Sequence, residues 1–233
     1  MIAAASDLQF AIAEAAESFR SASGREVKLS FGSSGNFARQ IEQGAPFELF
    51  LSADEDFVLG LAAKGLTEGE GALYAVGRLV LFAPHGSPLA ADEELSGLRA
   101  ALKRGEIARF AIANPEHAPY GQRAVEALRH AGLWEEIEDK LVLGENASQA
   151  AQFAALGGAQ GGIIPHSLAL APGLKPLGTF ALIPAAWHAP LRQRMALIKG
   201  AGETARSFYA YLQGPQGRAI LRRYGFLLPG ETS

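Results

Sequence analysis

Met1-Ile2-Ala3-Ala4-Ala5-Ser6-Asp7-Leu8-Gln9 opens the chain, and its reading decides the fold. A short apolar run that reads as a strand passes straight into a helix start, with Ser6 and Gln9 spaced as a capping box. Leu8, Ile12, Ala15 and Phe19 then recur at helical spacing, and Gly24 marks the exit. The same sequence of events follows downstream. A strand over 27–31 leads into Gly32-Ser33-Ser34-Gly35-Asn36 and a helix carrying Phe37 and Ile41 that stops at Gly44. A strand over 47–51 precedes Ser52-Ala53-Asp54-Glu55, which fits a capping box for a helix ending at Gly65.

The apolar run 74–83 reads as a passage from one lobe to another. Beyond it come a helix over 93–103, a strand over 110–113, a helix over 121–130 ending at Gly132, and a strand over 141–143. Glu145-Asn146-Ala147-Ser148-Gln149 opens a third helix start, over 147–156, followed by a strand over 162–164. Residues 194–199 look like a return strand, and two helices near 203–212 and 215–224 close the chain, the second with Pro215 at its start. Repeated strand–helix alternation predicts an α/β architecture with a largely parallel sheet. The expected layout is two α/β lobes, 1–80 with 195–233 and 81–194, with a ligand cleft and hinge between them and the hinge near 74–83 and 194–199.

Composition narrows the function. At 233 residues, 48% hydrophobic and 19% charged, the chain has ample core for one large domain or two ordinary ones. A formal net charge of -3 without any Lys/Arg-rich run leaves no electrostatic footprint for nucleic acid. The absence of cysteine excludes disulfides, thiolate chemistry and Cys-based zinc sites. No apolar stretch is long enough to span a bilayer, and Met1 to Ala5 lacks the charged start and longer apolar run of a secretory signal. A cytoplasmic chain and a mature exported form both fit.

Helix starts leave backbone N–H groups without internal partners and carry partial positive charge. Three of them aimed at one point would make an anion site from neutral parts. Ser6, Ser33, Ser34 and Asn146 are each either a plain cap or a donor to such a ligand. Asp7 is expected to turn onto the first helical turn, the alternative being an acceptor for the proton of a ligand such as hydrogen phosphate. The serine stretch is not G-x-S-x-G and has no G-K-[ST] continuation, so hydrolase-elbow and P-loop readings are weak. The five histidines show no metal spacing; His117 is a lone loop residue, and Glu116 and Asp54 have no evident acid/base partner. No catalytic residue, metal ion or cofactor is expected.

Ala3-Ala4-Ala5-Ser6, Phe31-Gly32-Ser33-Ser34, Ala38-Arg39-Gln40-Ile41, Gly44-Ala45-Pro46, Phe50-Leu51-Ser52-Ala53-Asp54, Asn114-Pro115-Glu116-His117-Ala118-Pro119-Tyr120-Gly121, Gly214-Pro215-Gln216 and Arg223-Tyr224-Gly225-Phe226 together resemble the periplasmic molybdate-binding proteins of ABC importers. The likeness runs nearly the full length in conserved motif order. It implies a type II periplasmic-binding-protein fold, extracytoplasmic location, a monomer, a molybdate or tungstate ligand and a membrane-embedded ABC permease as partner. By the same resemblance Ser6 and Ser34 supply hydroxyls and amides, Asp7 an amide, and Tyr120 and Ala147 backbone amides from the other lobe. Two departures stand out. Pro165 occupies a position where many members carry a tyrosine hydroxyl, for which the Tyr120 phenol is a substitute, and Asp7 stands where a subgroup has Asn. Competing expectations are a binder of sulfate, phosphate or chromate on the same fold, an enzyme built on it, and a ligand-sensing module.

Overall fold

In the computed structural model, which describes residues 1–231, ten strands form: β1 (Ile2–Ala5), β2 (Leu29–Gly32), β3 (Leu49–Ser52), β4 (Ala72–Gly77), β5 (Leu79–Pro84), β6 (Phe110–Ala113), β7 (Leu141–Gly144), β8 (Gly162–Pro165), β9 (Gly178–Leu182) and β10 (Leu191–Leu197). The chain divides into two units. The first comprises Met1–Gly77 with the chain from Leu191 onward, and the second Arg78–Pro190. Thr232 and Ser233, the end of the expected first lobe, lie outside the described residues.

The first unit holds a five-stranded sheet in the order β2-β1-β3-β10-β4. β1 is buried at every residue because it sits between β2 and β3, parallel to both, and a parallel strand with neighbours on each side is covered on both faces. The second unit repeats the plan as β7-β6-β8-β5-β9. In both, half the pairings are antiparallel: β10 with β3 and β4, and β5 with β8 and β9. The expectation of largely parallel sheets is corrected to mixed ones. Alternation of strands and helices cannot register a strand that joins the sheet from the far end of the chain, as β10 does.

The apolar run 74–83 is not one segment. It breaks at Arg78 into β4 of one sheet and β5 of the other. The return strand starts at Leu191, earlier than expected, where it pairs with Gly77. Ser52 is also not a helix cap. It ends β3 opposite Arg194, and Asp54 caps the Glu55–Ala63 helix by accepting the Asp56 N–H at 3.0 Å.

Phe50, at the centre of β3 in the middle of its sheet, is fully buried against Ala3, Ala196, Val58 and Leu61. Phe37 meets it edge to face at 6.5 Å between ring centroids and Phe47 at 5.3 Å. A second aromatic cluster joins Phe19 to Phe208 at 5.2 Å and to Tyr211 at 5.5 Å, packing the first long helix (Gln9–Ser23) against Glu203–Gln213. Among the described residues no helix is long and apolar enough to cross a membrane.

The start of the Glu55–Ala63 helix is tied to β10 by charge. Glu55 receives the Arg192 guanidinium and, at 2.9 Å, that of Arg194. Its partial burial raises the carboxyl's pKa, but the two arginines outweigh this and leave it below the ordinary carboxylate range. A depressed folded-state value adds stability at pH above the unfolded value, and that stability is lost as pH falls through the folded one. Glu55→Gln is therefore expected to lower the thermal midpoint at neutral pH, with the gap to wild type closing under acid, which a melting series over pH would check.

Candidate functional site

Register brings the helix starts of the first unit together. Ala5 of β1 lies opposite Gly32 of β2, and Ala4 opposite Leu51 of β3, so three strand ends finish side by side at one edge. Ser6, Ser33–Ser34 and Ala53 follow directly from them. Ser6 opens a 3-10 turn (Ser6–Leu8) before the first long helix, rather than capping that helix as its spacing with Gln9 suggested. A turn tighter than an α-helix intervenes, so the S-x-x-Q spacing no longer matches the helix start. Ser34 is the first residue of the Ser34–Glu42 helix, with Ser33 at its cap position making no side-chain cap bond.

Ser34 is 1% exposed, and its Oγ accepts the N–H of the equally buried Ala53 at 3.0 Å. An N–H resting on the hydroxyl oxygen leaves the hydroxyl hydrogen to point elsewhere, so Ser34 is set up as a donor. Its own N–H is among the helix-opening amides that have no intrahelical acceptor.

Asp7 is buried at 1% exposure and does not lie on a solvated first turn. Its Oδ2 accepts Gln193 Nε2 at 2.6 Å, and Gln193 Oε1 accepts the Tyr74 hydroxyl at 2.9 Å. Tyr74 also lies 3.4 Å from the Ser52 carbonyl. Burial pushes the Tyr74 phenol well above its ordinary value, and the Asp7 charge pushes it further. Gln193 is fully buried on β10. Sequence reading missed it, although one signal was present: Leu191, Gln193 and Met195 alternate as the inward face of β10.

In the second unit, Ala113 of β6 lies opposite Gly144 of β7, and the Asn114 N–H binds the Gly144 carbonyl at 2.7 Å. The Pro119–His130 and Ala147–Ala155 helices start just beyond these ends, and Ala113, Ala118 and Ala150 pack between them. The approach is close. A Cβ on Gly121 would stand 2.1 Å from the Ala113 carbonyl oxygen, and one on Gly144 would stand 2.4 Å from the Ala150 nitrogen. The first of these helices begins at Pro119, two residues before the expected start. Its first ring carries no N–H, which makes buried Tyr120 the first residue able to offer one. At the other start, Asn146 caps Gln149 N at 3.1 Å while Gln149 Oε1 reaches back to Glu145 N at 2.7 Å. That reciprocal cap leaves the Ala147 N–H outside it. His117 Nε2 stands 3.6 Å from Glu145 between the two loops.

Ser6, Asp7 and Ser34 thus share one sheet edge of the first unit, and Tyr120 and Ala147 one edge of the second. None is a cation. Among the described residues no group of three or more His, Asp and Glu is arranged to hold a metal ion.

A family model for bacterial extracellular solute-binding proteins matches residues 1–227. The chain belongs to this family. Among its solute-binding relatives, the molybdate-binding protein ModA of Rhodobacter capsulatus is 35% identical over 90% of this chain and 80% of its own length. ModA of Azotobacter vinelandii is 36% identical over 97% of this chain and 88% of its own. The solved periplasmic molybdate-binding protein of Azotobacter vinelandii superposes with a TM-score of 0.89, at 29% identity and 98% coverage of each chain. The two α/β units therefore have the periplasmic-binding-protein fold, and a solute-binding protein of this family is a binder and not an enzyme. Within that fold, the third parallel strand of the second unit, β8, ends at Pro165, which supplies neither N–H nor hydroxyl. The next N–H, of His166, is taken by the Arg78 carbonyl at 2.9 Å.

Proposed function

We propose that this protein captures a fully deprotonated tetrahedral oxyanion, molybdate and with it tungstate, in the periplasm as a monomer, and delivers it to an ABC permease. In this reading Ser6, Asp7 and Ser34 of the first unit and Tyr120 and Ala147 of the second close on one ligand. The lobes turn about the chain crossings at 77–78 and 190–191. The observation that carries the reading is Ser34. A buried hydroxyl whose oxygen already holds an amide hydrogen, beside helix-opening amides, is a donor waiting for an acceptor. The molybdate-binding relatives support the choice of ligand.

A cage of donors selects by protonation state. Hydrogen phosphate brings an O–H that a cage made of donors leaves unmet unless an Asp7 carboxylate oxygen accepts it. The unmet group costs about 1–3 kcal/mol. Parallel calorimetric titrations with molybdate, tungstate, sulfate and phosphate test the reading. Molybdate and tungstate are expected to bind tightest, with phosphate weaker by roughly that penalty. Phosphate binding as tightly as molybdate, or molybdate giving no heat, would sink it.

A further inference from the structure

Asp7 presents a problem of charge. It is a buried carboxylate in the same tight turn as Ser6, and the reading above brings a dianion to that turn. Two like charges in a site closed to water repel strongly, and the cheaper outcome is for the carboxylate to become neutral. A buried acid can take a proton only if the new O–H finds an acceptor and the donor it displaces finds another.

The surroundings of Asp7 meet both conditions. In the charged state the Tyr74 O–H donates to Gln193 Oε1, and Gln193 Nε2 donates to Asp7 Oδ2. When a proton from solvent is placed on Asp7 Oδ2, the Gln193 amide turns over, exchanging two groups of nearly equal size. Asp7 then donates to Gln193 Oε1 and Gln193 Nε2 donates to the Tyr74 oxygen. Tyr74 turns its O–H onto the Ser52 carbonyl, which already lies 3.4 Å away. Each of these two bonds, Tyr74 to Gln193 and Gln193 to Asp7, reverses its direction. Facing Asp7 are titratable Tyr74 from β4 and uncharged Gln193 from β10, and uncharged Ser52 of β3 ends the relay.

We propose that Asp7 takes up one proton as the oxyanion binds, with Gln193 and Tyr74 as the positioning residues that make the uptake possible. This rests on the Ser6–Asp7 turn being half of the oxyanion site. The sign follows from linkage. The bound anion favours protonated Asp7, so affinity rises as pH falls and weakens by up to about tenfold per pH unit between the free and bound titrations.

The test is calorimetry of sodium molybdate with the full chain, across the neutral range and in buffers of differing ionisation enthalpy, which counts protons directly. Wild type is expected to take up as much as one proton. Asp7→Asn keeps an oxygen for Gln193 Nε2 but cannot titrate, so its uptake should vanish and its affinity become flat with pH. Gln193→Leu removes both the donor to the carboxylate and the acceptor of the new O–H, so proton uptake and the pH dependence of affinity should shrink together. Molybdate binding without proton uptake overturns the proposal and leaves the oxyanion reading standing. So does uptake that survives in Asp7→Asn, or a loss in Gln193→Leu that is equal at every pH. Absence of heat with every oxyanion takes down both.

Discussion

Phe50→Ala should destabilise the first unit by about 3–5 kcal/mol, the cost of removing a fully buried aromatic ring from a core that relaxes only in part. Phe50 has no exposed surface and lies on the central strand of its sheet. Strand neighbours fix the backbone on both sides, through Ala3 on β1 and Ala196 on β10, so the cavity cannot collapse by a simple shift of β3. Phe37 would lose its edge-to-face contact with the Phe50 ring as well. A loss of this size is a large part of the stability of an ordinary domain. Both tryptophans, Trp134 and Trp187, belong to the second unit. Urea unfolding followed by far-ultraviolet circular dichroism should gain an early transition that tryptophan fluorescence misses, because the second unit has its own sheet and core within an unbroken stretch of chain. If circular dichroism and fluorescence both keep the wild-type midpoint, Phe50 does not hold the core as described.

How much of this was legible beforehand depends on the range of the signal. Ser6, Ser34 and Ala147 announce themselves locally, since a strand, a small polar residue and a helix start follow one another within a few positions. Elements whose reason lies elsewhere were harder to read. β9 has no strong pattern of its own, with Gly178–Leu182 only partly buried, and is ordered by pairing with β5. The division of 74–83 at Arg78 is set by two different sheets competing for one apolar run. Ser52 matches a capping box as well as Asp54 serves as the real cap, and only the pairing of Ser52 with Arg194 decides between them. Gln193 is the sharpest case. It meets Asp7 across 186 positions of chain, and a glutamine between two arginines reads as solvated until the strand's alternation is followed. A buried polar pair of this kind satisfies each partner only in three dimensions, so neither residue signals its need alone.

Ser34→Ala should act twice, and the two effects can be separated. In the free protein the Ala53 N–H, buried at 1% exposure, loses the oxygen it donates to. An unmet buried donor costs about 1–3 kcal/mol, which urea unfolding without ligand would register. In the liganded protein a second loss appears, because the hydroxyl hydrogen no longer reaches the oxyanion. A hydrogen bond to an ionised partner contributes roughly 1.5–3 kcal/mol, so molybdate affinity should fall by roughly tenfold to 150-fold. The two are independent because one uses the lone pair of Ser34 and the other its proton. Calorimetry that found affinity unchanged beside lowered stability would reduce Ser34 to a tie between the second helix start and the end of β3. The opposite pattern, weak binding with intact stability, would mean that water replaces the Ala53 contact and that the hydroxyl serves the ligand alone. Ala147 offers no such handle, since the contribution proposed for it is a backbone N–H that every side-chain substitution except proline preserves.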